Sequence, residues 1–133
     1  MNPPKLDGLR ILIVDDDESM REAICIYLVS LGAEVMPVGS AAEALERFPT
    51  FRPSVLVSDL AMPGEDGYGL IRKVRDMSPA NGGDIPALAM SSHTTKEDVK
   101  ASLAAGFQAH MAKPVEAIKL GRAILKISRQ RKR

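Results

Sequence analysis

The stretch RILIVDDDE, residues 10–18, sets an uninterrupted apolar run directly before four acidic residues. A short apolar run without polar alternation is typical of a strand buried on both faces, as in a parallel sheet. A helical pattern follows from about residue 19 to residue 31, and Gly32 is placed to end that helix. The stretch therefore predicts a buried strand, an acidic strand end and a helix, in that order.

The same alternation of strand and helix continues along the rest of the chain. The further predicted strands are 34–38, 55–58, 85–90 and 109–111, and the further predicted helices are 41–48, 67–77, 96–105 and 117–127. Pro37 indicates that the second strand lies at a sheet edge, where a missing N–H is tolerated. Thr95 with Asp98 resembles a capping box. Five such units predict an α/β, doubly wound parallel sheet, whose working site lies at the carboxyl ends of the strands.

Length and composition limit the kinds of protein that this chain can be. The chain has 133 residues, of which 45% are hydrophobic and 26% charged, and this fits one domain with its own core. The net charge of +1 gives no bulk argument for a nucleic-acid partner. Cys25 is the only cysteine, so neither an internal disulfide nor a zinc site is expected. No signal segment or membrane span is apparent, so we expect a cytoplasmic protein without a membrane partner.

Polar groups stand at the ends of four predicted strands. In chain order these are Asp15, Asp16 and Asp17, then Asp59, then Ser91 and Ser92, then Lys113. Two carboxylates about 4 Å apart repel by roughly 4 kcal/mol at an effective dielectric near 20, so a site that gathers them must protonate them or bind a cation. Oxygen ligands favour Mg²⁺. A lysine and a hydroxyl suit phosphoryl oxygens, and an aspartate can form an aspartyl phosphate.

Four motifs together resemble the response-regulator receiver family of two-component signalling. They are ILIVDDDE at 11–18, SDLAMPGEDG at 58–67, Ser91, and Lys113-Pro114. Each motif is weak alone, but their order and spacing are specific, and the resemblance covers about residues 9–127. It implies a flavodoxin-like receiver fold, with a five-stranded parallel sheet in the order 2-1-3-4-5 and five helices. The sequences of residues 62–75 and 82–90 look most like those of receivers of hybrid histidine kinases.

The resemblance also implies roles for the acidic residues and the lysine. Asp59 would be the phospho-acceptor. Asp16, Asp59 and the backbone carbonyl of Ala61 would bind Mg²⁺ directly, and Asp15 would act mainly through water. Lys113 would pair with Asp59 before phosphorylation and with the phosphoryl group afterwards.

A second group of residues matches the family's switch and loop positions. Ser91 corresponds to the switch hydroxyl, and His110 stands where the family usually has Tyr or Phe. Pro63 and Gly67 match positions that shape the acceptor loop. The Lys113-Pro114 peptide bond is expected to be cis.

Three positions depart from the family pattern, and one of them, Ala61, separates the competing functions. Ala61 and Ser92 depart in polarity or size, and His110 replaces the usual aromatic residue. An aspartate-nucleophile phosphohydrolase typically needs a second carboxylate two residues after the nucleophile, where this chain has Ala61. A domain that only docks to partners would not need Asp16, Asp59 and Lys113. We therefore predict a signalling receiver rather than an enzyme, with self-phosphorylation from a phosphodonor and autodephosphorylation as its only chemistry.

The expected partner is a histidine kinase or a histidine phosphotransfer protein. No output domain fits in 133 residues, so we expect a stand-alone regulator or a piece of a hybrid histidine kinase. A homodimer through the last helix and the fifth-strand face is a further expectation. We divide the chain into a lead-in at 1–8, a receiver domain at 9–127 and a basic tail at 128–133.

Two features of the sequence can each be interpreted in more than one way. The tail could contact nucleic acid or an acidic partner, but cations at a helix C-terminus also oppose the helix dipole. Without a DNA-binding motif or interleaved aromatic residues, nucleic acid is not the expected partner. His93, two residues after Ser91, could influence how water reaches a phosphoryl group or could be an ordinary loop residue.

Overall fold

The computed structural model describes residues 3–92 and 94–130. Within these residues, strands and helices alternate as the sequence predicts. The elements are β1 Arg10–Val14, α1 Glu18–Ser30, β2 Glu34–Val38, α2 Ala41–Phe51, β3 Val55–Asp59, α3 Gly67–Arg75, β4 Ala87–Ser91, α4 Lys96–Ala105, β5 Ala109–Ala112 and α5 Ala117–Ser128. A short 3₁₀ turn, Pro79–Asn81, lies between α3 and β4.

The strands form one parallel sheet in the order β2-β1-β3-β4-β5, which confirms the predicted fold. Val14 is aligned with Ser58, and Ser91 is aligned with Ala112. This register brings the carboxyl ends of the central strands to a common edge. Pro37 lies on the edge strand β2, as expected for a residue that lacks an N–H.

The sheet is covered on both faces, and this explains the apolar run that opened the sequence. Leu12 and Val14 belong to the core on the side of α2 and α3. Ile11 and Ile13 belong to the core on the side of α1 and α5. Because alternate side chains of a strand point to opposite faces, a strand buried on both sides has no polar alternation.

The second helix is longer than the predicted 41–48, because it continues through Pro49 to Phe51. Pro49 removes one backbone hydrogen bond, but it lies in the last turn of the helix, where the loss is small. Phe51 is buried, and the guanidinium of Arg10 lies 4.3 Å from the centroid of its ring. Arg52 then ends the helix with a positive φ of 54°. Tertiary contacts of Phe51 therefore outweigh the local preference of proline.

Two further segments differ from the sequence-based prediction. The segment before β1, predicted as a loose lead-in, contributes Leu6 to the core, and the N–H of Leu6 donates to the carbonyl oxygen of Leu31 at 2.8 Å. β4 begins at Ala87 rather than residue 85, since Pro86 cannot donate a ladder hydrogen bond. None of the helices formed by the described residues is long and apolar enough to cross a membrane.

Candidate functional site

Three carboxylates converge at the carboxyl edge of the sheet. Asp15 directly follows β1 and is fully buried, Asp59 ends β3 and is nearly buried, and Asp16 is exposed. One carboxylate oxygen from each lies within 4.8 Å of the others. Parallel strands in register deliver them to the same edge, as the sequence predicted.

Lys113 joins this cluster from the loop after β5. Its Nζ donates to Oδ2 of Asp59 at 3.0 Å and to Oδ2 of Asp15 at 3.2 Å. Its backbone N–H donates to the carbonyl oxygen of Ser91 at 2.9 Å, which attaches the lysine to the end of β4. The Lys113-Pro114 peptide bond is cis, as expected.

The neighbouring acids have different roles. Asp15 accepts a hydrogen bond from the backbone N–H of Asp17 at 2.9 Å, and Arg21 donates to the carbonyl oxygen of Asp15. Asp17 caps α1 by accepting from the N–H of Met20. Asp17 therefore matches the ordinary helix-cap interpretation of an acidic run, whereas Asp15 and Asp16 belong to the cluster.

The electrostatics of the site follow from burial and from this pairing. Burial raises the pKa of Asp59, the charge of Asp15 adds to the rise, and the hydrogen bonds from Lys113 and the Ala61 N–H oppose it. Burial lowers the pKa of Lys113, but the hydrogen bonds and charges of Asp59 and Asp15 outweigh this and raise it. One ammonium group therefore faces three carboxyl groups, and an additional cation would relieve their repulsion.

The donor set fits a hard divalent cation. The cluster offers carboxylate oxygens only, with neither sulfur nor imidazole among its members. Ala61, whose carbonyl oxygen the family resemblance would place on the metal, lies beside the cluster, and its N–H donates to Oδ1 of Asp59 at 3.2 Å. Oxygen ligands of this kind suit Mg²⁺, which takes one or two carboxylates and keeps several waters.

The loop after Asp59 is shaped by a close backbone contact. A Cβ atom on Gly67 would lie 2.4 Å from the carbonyl oxygen of Asp59 and 2.9 Å from the Cα of Leu60. Only glycine fits there without a backbone shift, and the N–H of Gly67 donates to the carbonyl oxygen of Leu60. The start of α3 is thus held against the end of β3.

Beside this loop lies a cleft of about 500 Å³ whose lining includes Ser91. The cleft is lined by Leu60, Ala61, Met62, Pro63, Asp66, Tyr68, Ser91 and Asp98. Burial, followed by the charges of Asp98 and Asp66, raises the pKa of the Tyr68 hydroxyl. No local sequence pattern indicates that Tyr68 and Asp98 share this cleft, because they belong to different helices.

His110 lies on β5, where its Nδ1 is 3.0 Å from the hydroxyl oxygen of Ser102 on α4. Sequence reasoning missed Ser102, because a serine within a helix usually reads as a solvent-facing residue. His93, the other histidine, lies outside the described residues.

Comparisons with known proteins agree with this geometry. Residues 11–125 match the family model described as the response regulator receiver domain. A 14.6 kDa protein of Leptolyngbya boryana, encoded in the sodA1 3′ region and named as uncharacterized, is 39% identical over 119 residues, which are 90% of this chain and 89% of that protein.

Two further comparisons concern histidine kinases. Hybrid signal transduction histidine kinase D of Dictyostelium discoideum is 33% identical over 93% of this chain, but the match spans only 8% of that protein. The solved receiver domain of a signal transduction histidine kinase from Syntrophus aciditrophicus superposes with a TM-score of 0.83 at 27% identity, covering 95% of this chain and 94% of that one. With its fold, its acidic cluster and a family match over nearly its whole length, this chain belongs to the response-regulator receiver domain family of two-component signalling.

Proposed function

We propose that Asp59 accepts a phosphoryl group. The main observation in support is the ion pair between Asp59 and Lys113, which lies beside two further carboxylates. The Asp59 carboxylate ends a central strand, and one of its oxygens lies 3.0 Å from Nζ of Lys113. A carboxylate held at this edge can act as a nucleophile. An Asp59 oxygen forms a bond to phosphorus while the phosphorus–nitrogen bond of a phosphohistidine breaks, and the departing imidazole nitrogen keeps the electron pair and takes up a proton.

The residues around Asp59 fit the needs of this transfer. Asp16, Asp59 and the carbonyl oxygen of Ala61 would hold Mg²⁺, and Asp15 would contribute through water. When bound, Mg²⁺ neutralises charge on the phosphoryl oxygens. Lys113 exchanges its bond to Asp59 for one to the phosphoryl group, which places its positive charge where negative charge accumulates.

The signal would leave the site through Ser91 and His110. Ser91 ends β4 beside the cleft, and its hydroxyl can donate to a phosphoryl oxygen. His110 lies on the neighbouring strand β5, where it is aligned with Ala89. A change in the position of Ser91 can thus alter the packing of His110 and the surface around α4, β5 and α5.

The proposed phosphodonor is a histidine kinase or a histidine phosphotransfer protein, as implied by the similarity to receivers of histidine kinases. We further propose that residues 9–127 act as the receiver unit, with Leu6 of the preceding segment 1–8 packed into its core and a basic tail at 128–133 following it. A homodimer through α5 and the β5 face remains part of the proposal. The chemistry is that of a switch, because Ala61 stands where a phosphohydrolase would carry its second carboxylate.

The test is phosphorylation by a small donor. The purified chain is incubated with acetyl phosphate and Mg²⁺, and intact mass and peptide mapping report the number and position of phosphoryl groups. We expect one group on Asp59, sensitive to hydroxylamine, and none on an Asp59→Asn variant. Asp17→Asn is the matched control, because it removes an adjacent carboxylate but keeps a residue that caps helices well. Labelling of Asp59→Asn equal to that of the wild type would refute the assignment.

A further inference from the structure

The fourth helix is held against the sheet by an unusual contact. Ser102 is the only buried residue among those of α4, and its side chain is fully buried. Every other helix of the described chain buries at least two residues in the core. With Ala105 only partly buried against the core, α4 has less apolar packing than the other α-helices, so the contacts of the Ser102 hydroxyl matter more for its position.

The Ser102 hydroxyl makes two hydrogen bonds with defined roles. It lies 2.8 Å from the carbonyl oxygen of Val99, one turn earlier in α4, and can only be the donor in that bond. Because a serine hydroxyl has one hydrogen, its oxygen must accept in the second bond, at 3.0 Å from Nδ1 of His110. The histidine is thereby selected in a form that carries a hydrogen on Nδ1.

This pair joins a helix to a strand. Ser102 lies in α4, and His110 lies in β5 beyond the turn at Gly106. The end of α4 is held separately, because the guanidinium of Arg75 donates to the carbonyl oxygen of Gly106 at 2.7 and 3.0 Å. The Ser102–His110 hydrogen bond therefore links the body of α4 to the sheet at a point separate from the Arg75 contact.

We propose that Ser102 is a positioning residue that holds the His110 ring in the unphosphorylated protein and thereby couples α4 to β5. Release of this hydrogen bond accompanies the shift of His110 when Asp59 carries its phosphoryl group. The release of this hydrogen bond on phosphorylation rests on the proposed function, since it needs Asp59 to be the acceptor. The hydrogen bond itself is a property of the unphosphorylated chain and can be tested without any phosphodonor.

The experiment compares Ser102→Ala with Ser128→Ala. Ser128 is the matched control, because its hydroxyl donates to the carbonyl of Leu125 three residues earlier, as that of Ser102 does to Val99, yet it lies in α5 away from His110. Each protein is labelled with ¹⁵N-histidine, and the His110 signals are assigned with a His93→Gln variant. Ring ¹⁵N shifts report which nitrogen carries the hydrogen, and amide hydrogen exchange reports the stability of α4.

We expect the wild type and Ser128→Ala to show His110 with the hydrogen on Nδ1. In Ser102→Ala this preference should be lost, and exchange of α4 amides should accelerate about fivefold, as expected for loss of one hydrogen bond. Ring shifts and α4 exchange that are the same in Ser102→Ala as in the wild type would overturn the proposal.

The coupling to phosphorylation has its own readout. Beryllofluoride with Mg²⁺, a phosphoryl mimic, should move the His110 shifts of the wild type toward those of unliganded Ser102→Ala. If Asp59 takes no phosphoryl group, the proposed function fails while the Ser102 hydrogen bond is still decided by the unliganded spectra. If Asp59 is labelled but beryllofluoride leaves the His110 shifts unchanged, the proposed coupling through Ser102 is refuted and the acceptor assignment stands.

Discussion

At the carboxyl end of the sheet three carboxyl groups lie close together and two of them pair with one lysine, whereas at the amino end two arginines donate to backbone carbonyl oxygens. Asp15 and Asp59 both form ion pairs with Lys113, and Asp16 belongs to the same cluster. At the opposite end, Arg10 precedes the body of β1, and Arg75 ends α3. The carboxyl end thus gathers like charges around one lysine, whereas the arginines of the amino end donate to uncharged carbonyl groups.

The arginines at the amino end link elements that are distant in the sequence. Arg10 donates through Nε to the carbonyl oxygen of Phe51 at the end of α2. Arg75 donates to the carbonyl oxygens of Gly83 and Gly106, before β4 and after α4, and to the side chain of Gln108. Burial lowers the pKa of Arg75, and the charge of Asp84 opposes that change.

The comparison separates a fixed end from an adjustable one. Carbonyl dipoles keep the same charge at every pH, so the bonds of Arg10 to Phe51 and of Arg75 to Gly83 and Gly106 do not depend on titration of the acceptor. Arg10 also pairs with the exposed carboxylate of Glu34. The carboxyl end has unbalanced negative charge, which a proton, a cation or a phosphoryl group can change. The predictions below test this difference by altering one end at a time.

The largest effect on stability is expected at the amino end. Arg75→Met leaves the part-buried carbonyl oxygens of Gly83 and Gly106 without their donor, and we expect the free energy of unfolding to fall by about 3 kcal/mol. Arg72→Met, an exposed position in the same helix, should change it by less than about 0.5 kcal/mol. Denaturant titration measures both.

The same variants show whether the two ends act separately. Under conditions where Arg75→Met is still folded, its labelling by acetyl phosphate should match that of Arg72→Met. A clear loss of labelling in the folded Arg75 variant would show that the amino end also contributes to the acceptor site, and the comparison would fail.

A smaller change, of opposite sign, is expected at the carboxyl end. Asp16→Asn removes one of the mutually repelling carboxylates, so in EDTA it should raise the free energy of unfolding by about 1 kcal/mol, modest because Asp16 is exposed. Mg²⁺ should stabilise the wild type more than the variant and close this gap. Calorimetry with and without Mg²⁺ measures both, and unchanged Mg²⁺ affinity in Asp16→Asn would contradict the metal assignment.

The smallest expected effect is a dependence of the free energy of unfolding on pH. A carboxyl group whose pKa is raised by folding binds its proton more tightly in the folded state, so stability is lost as pH rises from the unfolded value of about 4 through the raised pKa. In EDTA, wild-type stability should therefore carry a downward contribution across this window that Asp59→Asn lacks. The raised pKa of Lys113 contributes stability that is lost only in alkali, above about pH 10.5, so it does not interfere.

Thermal unfolding of the two proteins in EDTA at a series of pH values measures this slope. Parallel stability curves for the wild type and Asp59→Asn would show that burial does not raise the pKa of Asp59. Asp76→Asn, a change at an exposed carboxyl group at the end of α3, serves as the control and should follow the wild type.

Much of the site could be predicted because its elements are local in the sequence. The acids stand directly after an apolar strand, and Asp59 ends another, so strand order alone brings them to one edge. The capping box at Thr95 and Asp98 was also predicted, because its partners are three residues apart. The full burial of Asp15 and the capping of α1 by Asp17 could not be predicted from spacing, since they depend on where each side chain points after the strand ends.

Local sequence patterns did not predict the contacts between segments that are distant along the chain. Proline disfavours a helix interior, yet α2 passes Pro49 because Phe51 is buried beside Arg10. The segment before β1 had no periodicity, yet Leu6 enters the core between other elements. In both cases the burial of a large side chain against residues far along the chain outweighs the local preference.

The sequence by itself determined the order of strands and helices, the burial of the sheet on both faces, and the gathering of carboxylates with a lysine at one edge. Periodicity and strand-end residues are enough for this, because parallel strands must align their carboxyl ends. Only the tertiary structure decided that the Ser102 hydroxyl lies within hydrogen-bond distance of His110 and that Arg75 joins Gly83 and Gly106 at the opposite end. Those pairings depend on the packing of α4 against the sheet and on side-chain directions, which no spacing along the chain encodes.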